Sequence, residues 1–282
     1  MTRVLSGMVL VLVAVVVVGW APRWVIFAVL AVIGTLGLHE FYQLSGKCGL
    51  RPFRVAGHLF GIWLLAEQWL FPQQVSMAVL AGFVLLVMSL ILIHPDSFAL
   101  AIGSSGATIL GALYTTGFLS LLLAWASPAS HSGMRLSPFE NRAAIFFLLV
   151  VIWASDIGAY YVGRTIGKHK LAPKISPGKT IEGLVGGTVA SVLVSVVFQQ
   201  YWLREYSMGS LMTLAIALDL AGVLGDLAES ALKRGAGVKD SSSMIPGHGG
   251  VLDRIDSLLF AIPVMYYYPS ALAFLKKAFT GE

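Results

Sequence analysis

Apolar residues run along this chain in blocks of about twenty, each closed by a short interval rich in Gly, Pro, Ser, Lys or Arg. A bilayer core about 30 Å thick needs roughly 20 apolar residues per helical crossing, and the blocks have that length. Their periods and breakers predict nine crossings, at about 4–20, 23–44, 55–71, 74–94, 107–127, 143–162, 180–202, 209–232 and 252–273. The third has the weakest pattern, because Glu67 and Gln68 fall near its end and Pro72 follows. The first follows Arg3 as a secretory leader would. However, Trp20 and Pro22 stand where a small-residue cleavage site belongs and a second run begins at Trp24, so it reads as a helix.

Composition supports this reading: 57% of the 282 residues are hydrophobic and 12% charged, far from the usual soluble balance. The expected fold class is all-α, a polytopic integral membrane protein with about nine transmembrane helices. The expected organisation is one membrane unit, with N-terminal helices over 1–140 and a catalytic region over 141–282. The net charge of +5 does not point to nucleic acid, because the cations are scattered through short loops. Cys48 is the single cysteine and makes no intramolecular disulfide.

With the N-terminus in the cytoplasm, all Lys and Arg fall on that side except Arg23, Arg135, Arg142, Arg204, Lys276 and Lys277. The positive-inside rule favours this orientation, although Lys276 and Lys277 fit it poorly. It places two polar stretches, about 163–180 and 233–251, on the cytoplasmic side. The segment 127–142 becomes an external, turn-rich connector.

Eight of the fourteen acids lie after residue 150: Asp156, Glu182, Asp219, Asp226, Glu229, Asp240, Asp253 and Asp256. A carboxylate inside a transmembrane helix costs about 2.5–3.5 kcal/mol on insertion scales, so each is a functional hypothesis. In LDLAGVLGDLAESALKRG, Asp226, Glu229, Ser230 and Lys233 share one helix face, and Asp219 lies two turns deeper. In the next block Asp253 and Asp256 share a face near a helix N-terminus, where the dipole favours negative charge. Carboxylates gathered from these two helices invite a hard divalent cation. The structural alternative pairs Asp226 with Lys233 or Arg234, and Asp253 with Arg254.

Between those helices Lys239, Asp240 and three serines precede Pro246-Gly-His248-Gly249-Gly250. Glycines at 247, 249 and 250 permit positive φ and close backbone approach, and the loop leads into a helix start. It reads as a phosphate cradle, or simply as a turn. The earlier stretch, Asp156 to Gly187, carries five basic residues and Ser176-Pro-Gly-Lys179-Thr180 before the seventh block. Ser176 or Thr180 serves equally as a helix cap or a ligand. PGKT lacks the upstream glycine of a Walker A loop, and no βα context is evident. Gly158, Gly163, Gly167, Gly183, Gly186 and Gly187 predict close helix packing around this stretch.

The run Ser230-x-Leu232-Lys233-Arg234-x₄-Lys239-Asp240-x-Ser242-x₂-Ile245-Pro246-x-His248-Gly249-Gly250-Val251-x-Asp253-Arg254-Ile255-Asp256 resembles the signature of the phosphatidate cytidylyltransferases. The stretch from Asp156 to Gly183 resembles that family's second cytoplasmic motif. The N-terminal half is similar only as a set of apolar helices.

The resemblance implies condensation of CTP with phosphatidic acid to CDP-diacylglycerol and pyrophosphate. The expected location, from the compact size and the charge count, is a bacterial inner membrane with the site facing the cytoplasm. The resemblance also implies Mg²⁺, paired in the family with K⁺, held by Asp226 and Asp253 with Asp256 and Glu229 nearby. Lys233, Arg234, Lys239 and Asp240 join Asp226 and Asp253 as the catalytic set. Ser176, Lys179, Thr180, His248, Gly249, Gly250 and Arg254 fall at substrate-binding positions. No catalytic base is required, because a phosphomonoester is already a nucleophile near neutral pH. Dimerisation is left open. Two other classes compete: a CTP-dependent polyprenol kinase, and an ion-coupled transporter with intramembrane acids.

Overall fold

The computed structural model describes residues 2–72, 76–93, 95–126 and 138–280. The N-terminal part is α1 (Thr2–Trp20), α2 (Arg23–Lys47), α3 (Arg54–Leu70), α4 (Met77–Ile93), a 3₁₀ segment (Pro95–Leu100), α5 (Ala101–Ala112), a π-helical turn (Leu113–Gly117) and α6 (Phe118–Trp125). There follow α7 (Pro138–Ile166), β1 (Lys170–Ala172), β2 (Ser176–Thr180), α8 (Ile181–Tyr201), α9 (Met208–Gly235) and α10 (Leu252–Thr280). Helix lies at each predicted apolar block. Among the described residues, five helical stretches are long and apolar enough to cross a bilayer: Arg23–Lys47, Phe98–Trp125, Phe139–Ile166, Ile181–Tyr201 and Met208–Gly235. Ser6–Trp20 and Met77–Ile93 are apolar but shorter. The chain is an all-α polytopic membrane protein. Most of the expected external connector, 127–137 with Arg135, lies outside the described residues.

Two departures from the sequence reading have local causes. Helix at the fifth block begins near Pro95, well before the expected 107, because Ser104, Ser105 and Thr108 are buried in it rather than exposed in a loop. Thr108 Oγ1 donates to the Ser104 carbonyl at 2.8 Å and accepts from the Phe53 N–H at 2.8 Å, while Ser104 Oγ accepts from the Arg51 N–H at 3.0 Å. Polar groups satisfied in this way are tolerated inside. The second departure is the antiparallel hairpin β1–β2, which pairs Lys170 with Thr180 and Ala172 with Ser176. PGKT therefore does stand in a strand that runs straight into a helix, contrary to expectation. It remains unlike a Walker A loop, because the tetrapeptide is part of the strand itself.

The chain divides into two compact units, Met1–Ala124 with Leu232–Ile255, and Trp125–Ala231 with Asp256–Glu282. In the first unit, Tyr42 is fully buried and its hydroxyl donates to the Thr108 carbonyl at 2.8 Å. Gly57 and Gly111 face its ring, where a Cβ on either would come within 2.7 Å of a ring carbon. Phe60 and Phe83 stack with centroids 3.7 Å apart.

The second unit packs α7 on α8 through the predicted glycines. A Cβ on Gly158 would meet the Gly186 carbonyl at 2.7 Å, and one on Gly183 the Ala159 carbonyl at 2.9 Å. Close backbone approach through small residues is the general means of joining helices in lipid. Asp219, from α9, is buried there and accepts hydrogen bonds from Ser155 of α7 and, at 2.5 Å, from Thr188 of α8. It binds three helices together.

Candidate active site

Thr180 ends β2 with extended backbone and caps α8, accepting the Gly183 N–H on its hydroxyl at 3.1 Å. This is the capping role the sequence allowed. Glu182, one residue into α8, receives the His169 ring Nδ1 at 2.6 Å and the His169 and Lys168 N–H groups, which fixes the strand's approach. Lys179 precedes the cap and is thereby aimed at α9. Its Nζ lies 2.7 Å from Asp226 Oδ2, with both side chains partly accessible, and Ser230 Oγ donates to Oδ1 at 3.2 Å. The partner is neither Lys233 nor Arg234, the cations of the structural alternative.

A cavity of about 580 Å³ opens at this pair. Asp156, Arg164, Ser176, Lys179, Thr180 and Asp226 contribute its polar wall, and Leu171, Leu184 and Val223 part of its apolar wall. It combines cations that attract phosphate with a surface that suits hydrocarbon.

The first unit holds the glycine-rich loop. Helix α9 stops where Gly237 takes φ +70°, with Val238 N–H on the Lys233 carbonyl at 2.9 Å and Gly237 N–H on the Arg234 carbonyl at 3.1 Å. That is a Schellman termination. Arg234 is exposed and donates from Nη1 to the Val238 carbonyl at 3.3 Å, so it serves this helix end. Gly247 and Gly249 take φ +78°, as expected, and Ile245 pairs with Gly249 across the turn. Gly250 does not need positive φ. It needs space, because a Cβ there would collide with Ser241 Oγ and the Glu40 carboxylate.

Asp253 is buried and fully engaged. Lys233 Nζ lies 2.5 Å from Oδ1, and Oδ2 accepts the Gly250 N–H at 2.7 Å, the Ser241 N–H at 2.9 Å and Ser241 Oγ at 2.8 Å. Arg254, the partner in the structural alternative, is replaced by Lys233 from the last turn of α9. Arg254 is exposed and lines a second cavity, of about 500 Å³, with Lys239, Asp240, Ser242, His248 and Gly249. His248 Nδ1 is 2.7 Å from Ser6 Oγ of α1.

Glu40, in the middle of α2, was not among the expected residues. It is fully buried, and its carboxylate accepts Ser241 Oγ at 2.9 Å, Ser242 Oγ at 2.6 Å, the Val251 N–H at 3.0 Å and the Leu252 N–H at 2.7 Å. LHEFY carries the same signal as the later blocks, an acid inside an apolar helix, although it lies outside the acid-rich half. With Glu40 and Asp253 in place, the N–H groups of residues 250–252 are already bonded. A phosphate in this cavity would meet side chains, not the helix start.

Glu229 is fully buried, and Asp256 accepts the Ser257 N–H on Oδ1 at 2.7 Å. Among the described residues, no three of His, Cys, Asp and Glu gather as a metal-binding group. Asp226 fits a hard cation in donor type and access, because it is partly exposed and lines a cavity, and a cation there would take the place of Lys179 Nζ on Oδ2. Asp253 does not in this arrangement, because four donors occupy its oxygens.

A family model described as the cytidylyltransferase family matches residues 1–272. The phosphatidate cytidylyltransferase of Bacillus subtilis (strain 168) is 42% identical over 153 residues, 54% of this chain and 57% of that protein. Those of Haemophilus influenzae and Staphylococcus epidermidis are 44% identical over 135 residues and 49% over 126, covering 46% and 45% of this chain and 47% and 48% of the relatives. The chain spans about half the length of the curated relatives it matches.

Proposed function

This chain belongs to the cytidylyltransferase family, and on that premise we propose that it transfers the cytidylyl group of CTP to phosphatidic acid in phospholipid biosynthesis. The observation that carries the reading is the Lys179–Asp226 pair on a cavity with a cationic rim and an apolar wall. A lipid phosphate requires both.

In this reading a phosphate oxygen of phosphatidic acid attacks the α-phosphorus of CTP. The new P–O bond forms as the bond to the β-phosphate oxygen breaks, and pyrophosphate leaves with the electron pair. Both reactants are anions, so the main demand is neutralisation and alignment rather than proton transfer. Lys179 and Arg164 supply cations in the second unit's cavity, and Lys239 and Arg254 in the first unit's. Lys233, engaged with Asp253, holds the loop in shape. Mg²⁺, where bound, would screen phosphate charge and polarise the attacked phosphorus, and Asp226 is the residue whose carboxylate fits it. The proposed setting is the inner membrane, with the polar ends of these helices toward the cytoplasm, where CTP is found.

Purified protein given CTP and phosphatidic acid in mixed micelles should release pyrophosphate and form CDP-diacylglycerol in equal amounts. Release of CDP with a phosphorylated polyprenol would instead identify a lipid kinase. Uptake of solute into vesicles without nucleotide turnover would identify a transporter.

A further inference from the structure

The buried Glu40 carboxylate is the feature the proposed reaction does not use. Four donors converge on it from a segment far along the chain, and each oxygen takes one hydroxyl and one backbone N–H. Oε1 receives Ser242 Oγ and Val251 N–H, and Oε2 receives Ser241 Oγ and Leu252 N–H. A negative charge beside the first N–H groups of α10 is favoured by the helix dipole, which is how such a charge is retained inside.

Both hydroxyls lead onward to the site. Ser241 also donates to Asp253, from Oγ at 2.8 Å and from N–H at 2.9 Å, and Ser242 lines the cavity that holds Lys239, His248 and Arg254. Gly250 is small because the carboxylate lies against it. We propose that Glu40 is a positioning residue for the transfer reaction, fixing the loop 241–252 so that Asp253 and the cations of the adjoining cavity are held in register. This rests on the cytidylyltransferase reading for its catalytic consequence. Glu40 touches no reacting atom in this scheme and acts through Ser241 and Ser242.

Glu40→Gln tests the carboxylate with little change in shape. An amide has one acceptor oxygen, so whichever way it turns, one of the two backbone N–H groups faces an NH₂ donor. Amide hydrogen exchange of the full-length protein in detergent should then speed up at least about tenfold over 241–252 and stay unchanged over 170–180. In the same variant kcat should fall about ten- to a hundredfold, as small misplacements of catalytic groups do, with KM for CTP and phosphatidic acid within about threefold. Glu40→Asp keeps both oxygens and the charge on a side chain one methylene shorter. It should recover part of both effects, and it carries the same two readouts if Glu40→Gln does not fold.

Unchanged exchange over 241–252 would overturn the proposal, and so would faster exchange with unchanged kcat. Failure of the wild-type protein to release pyrophosphate would count against the functional reading alone, because hydrogen exchange reads Glu40's hold on the loop without reference to activity.

Discussion

Lys179 at the end of β2 and Asp226 in α9 form an ion pair at 2.7 Å, and both line the cavity of about 580 Å³. Each lies in a different conspicuous stretch of the sequence, so neither stretch by itself contains the pair. Partly exposed pairs contribute about 0–1 kcal/mol, so the pair is poorly explained as a stability device. Asp226→Asn and Lys179→Gln should each lower kcat/KM at least about a hundredfold, as loss of a charge aimed at a phosphoryl transition state does. Thermal unfolding should move little. Retained activity in either variant would remove the pair from the site.

The buried pair Lys233–Asp253 behaves in the opposite way. Lys233→Met leaves the Asp253 carboxylate buried without its cation, and should destabilise the protein by about 3–5 kcal/mol. Adding Asp253→Asn should restore part of that loss, because the unpaired charge is removed. A detergent-solubilised thermal melt of the two variants separates this from a simple loss of packing.

Thr180 is legible both as a ligand and as a cap, and its geometry is that of a cap. Thr180→Ser keeps the oxygen and should be close to wild type, whereas Thr180→Val should cost about 1 kcal/mol of stability. Equal stability of the two would refute the capping assignment.

Glycines separate by surroundings. Gly250→Ala pushes a methyl group into Ser241 and Glu40 and should cost about 1–3 kcal/mol, by overpacking. Gly106, inside α5, has open space where its Cβ would project, and Gly106→Ala should be neutral or stabilising by about 0.5–1 kcal/mol. Comparing melts of the two variants checks both values.

Much of the fold was legible because it is set locally. A block of about twenty apolar residues must satisfy its backbone within itself in lipid, and helix is how a single segment does so. Among the described residues, five helical stretches are long and apolar enough for that reason to apply, and Gly158, Gly183 and Gly186 signalled close packing because only small residues permit it. The hairpin was not legible. A three-residue strand carries no alternation, and β1–β2 exists because pairing and the Glu182 contacts hold it between α7 and α8.

The sequence by itself determined which residues are chemically costly to bury: Glu40, Asp219, Asp226, Glu229 and Asp253. Tertiary structure alone decided their partners. Asp226 meets Lys179, Asp253 meets Lys233, Asp219 meets two hydroxyls and Glu40 meets the start of α10. Hydropathy and helical periodicity are properties of neighbours along the chain, and they state the cost of burying a charge. What offsets that cost is a donor brought from elsewhere by packing, and no local pattern specifies which one arrives.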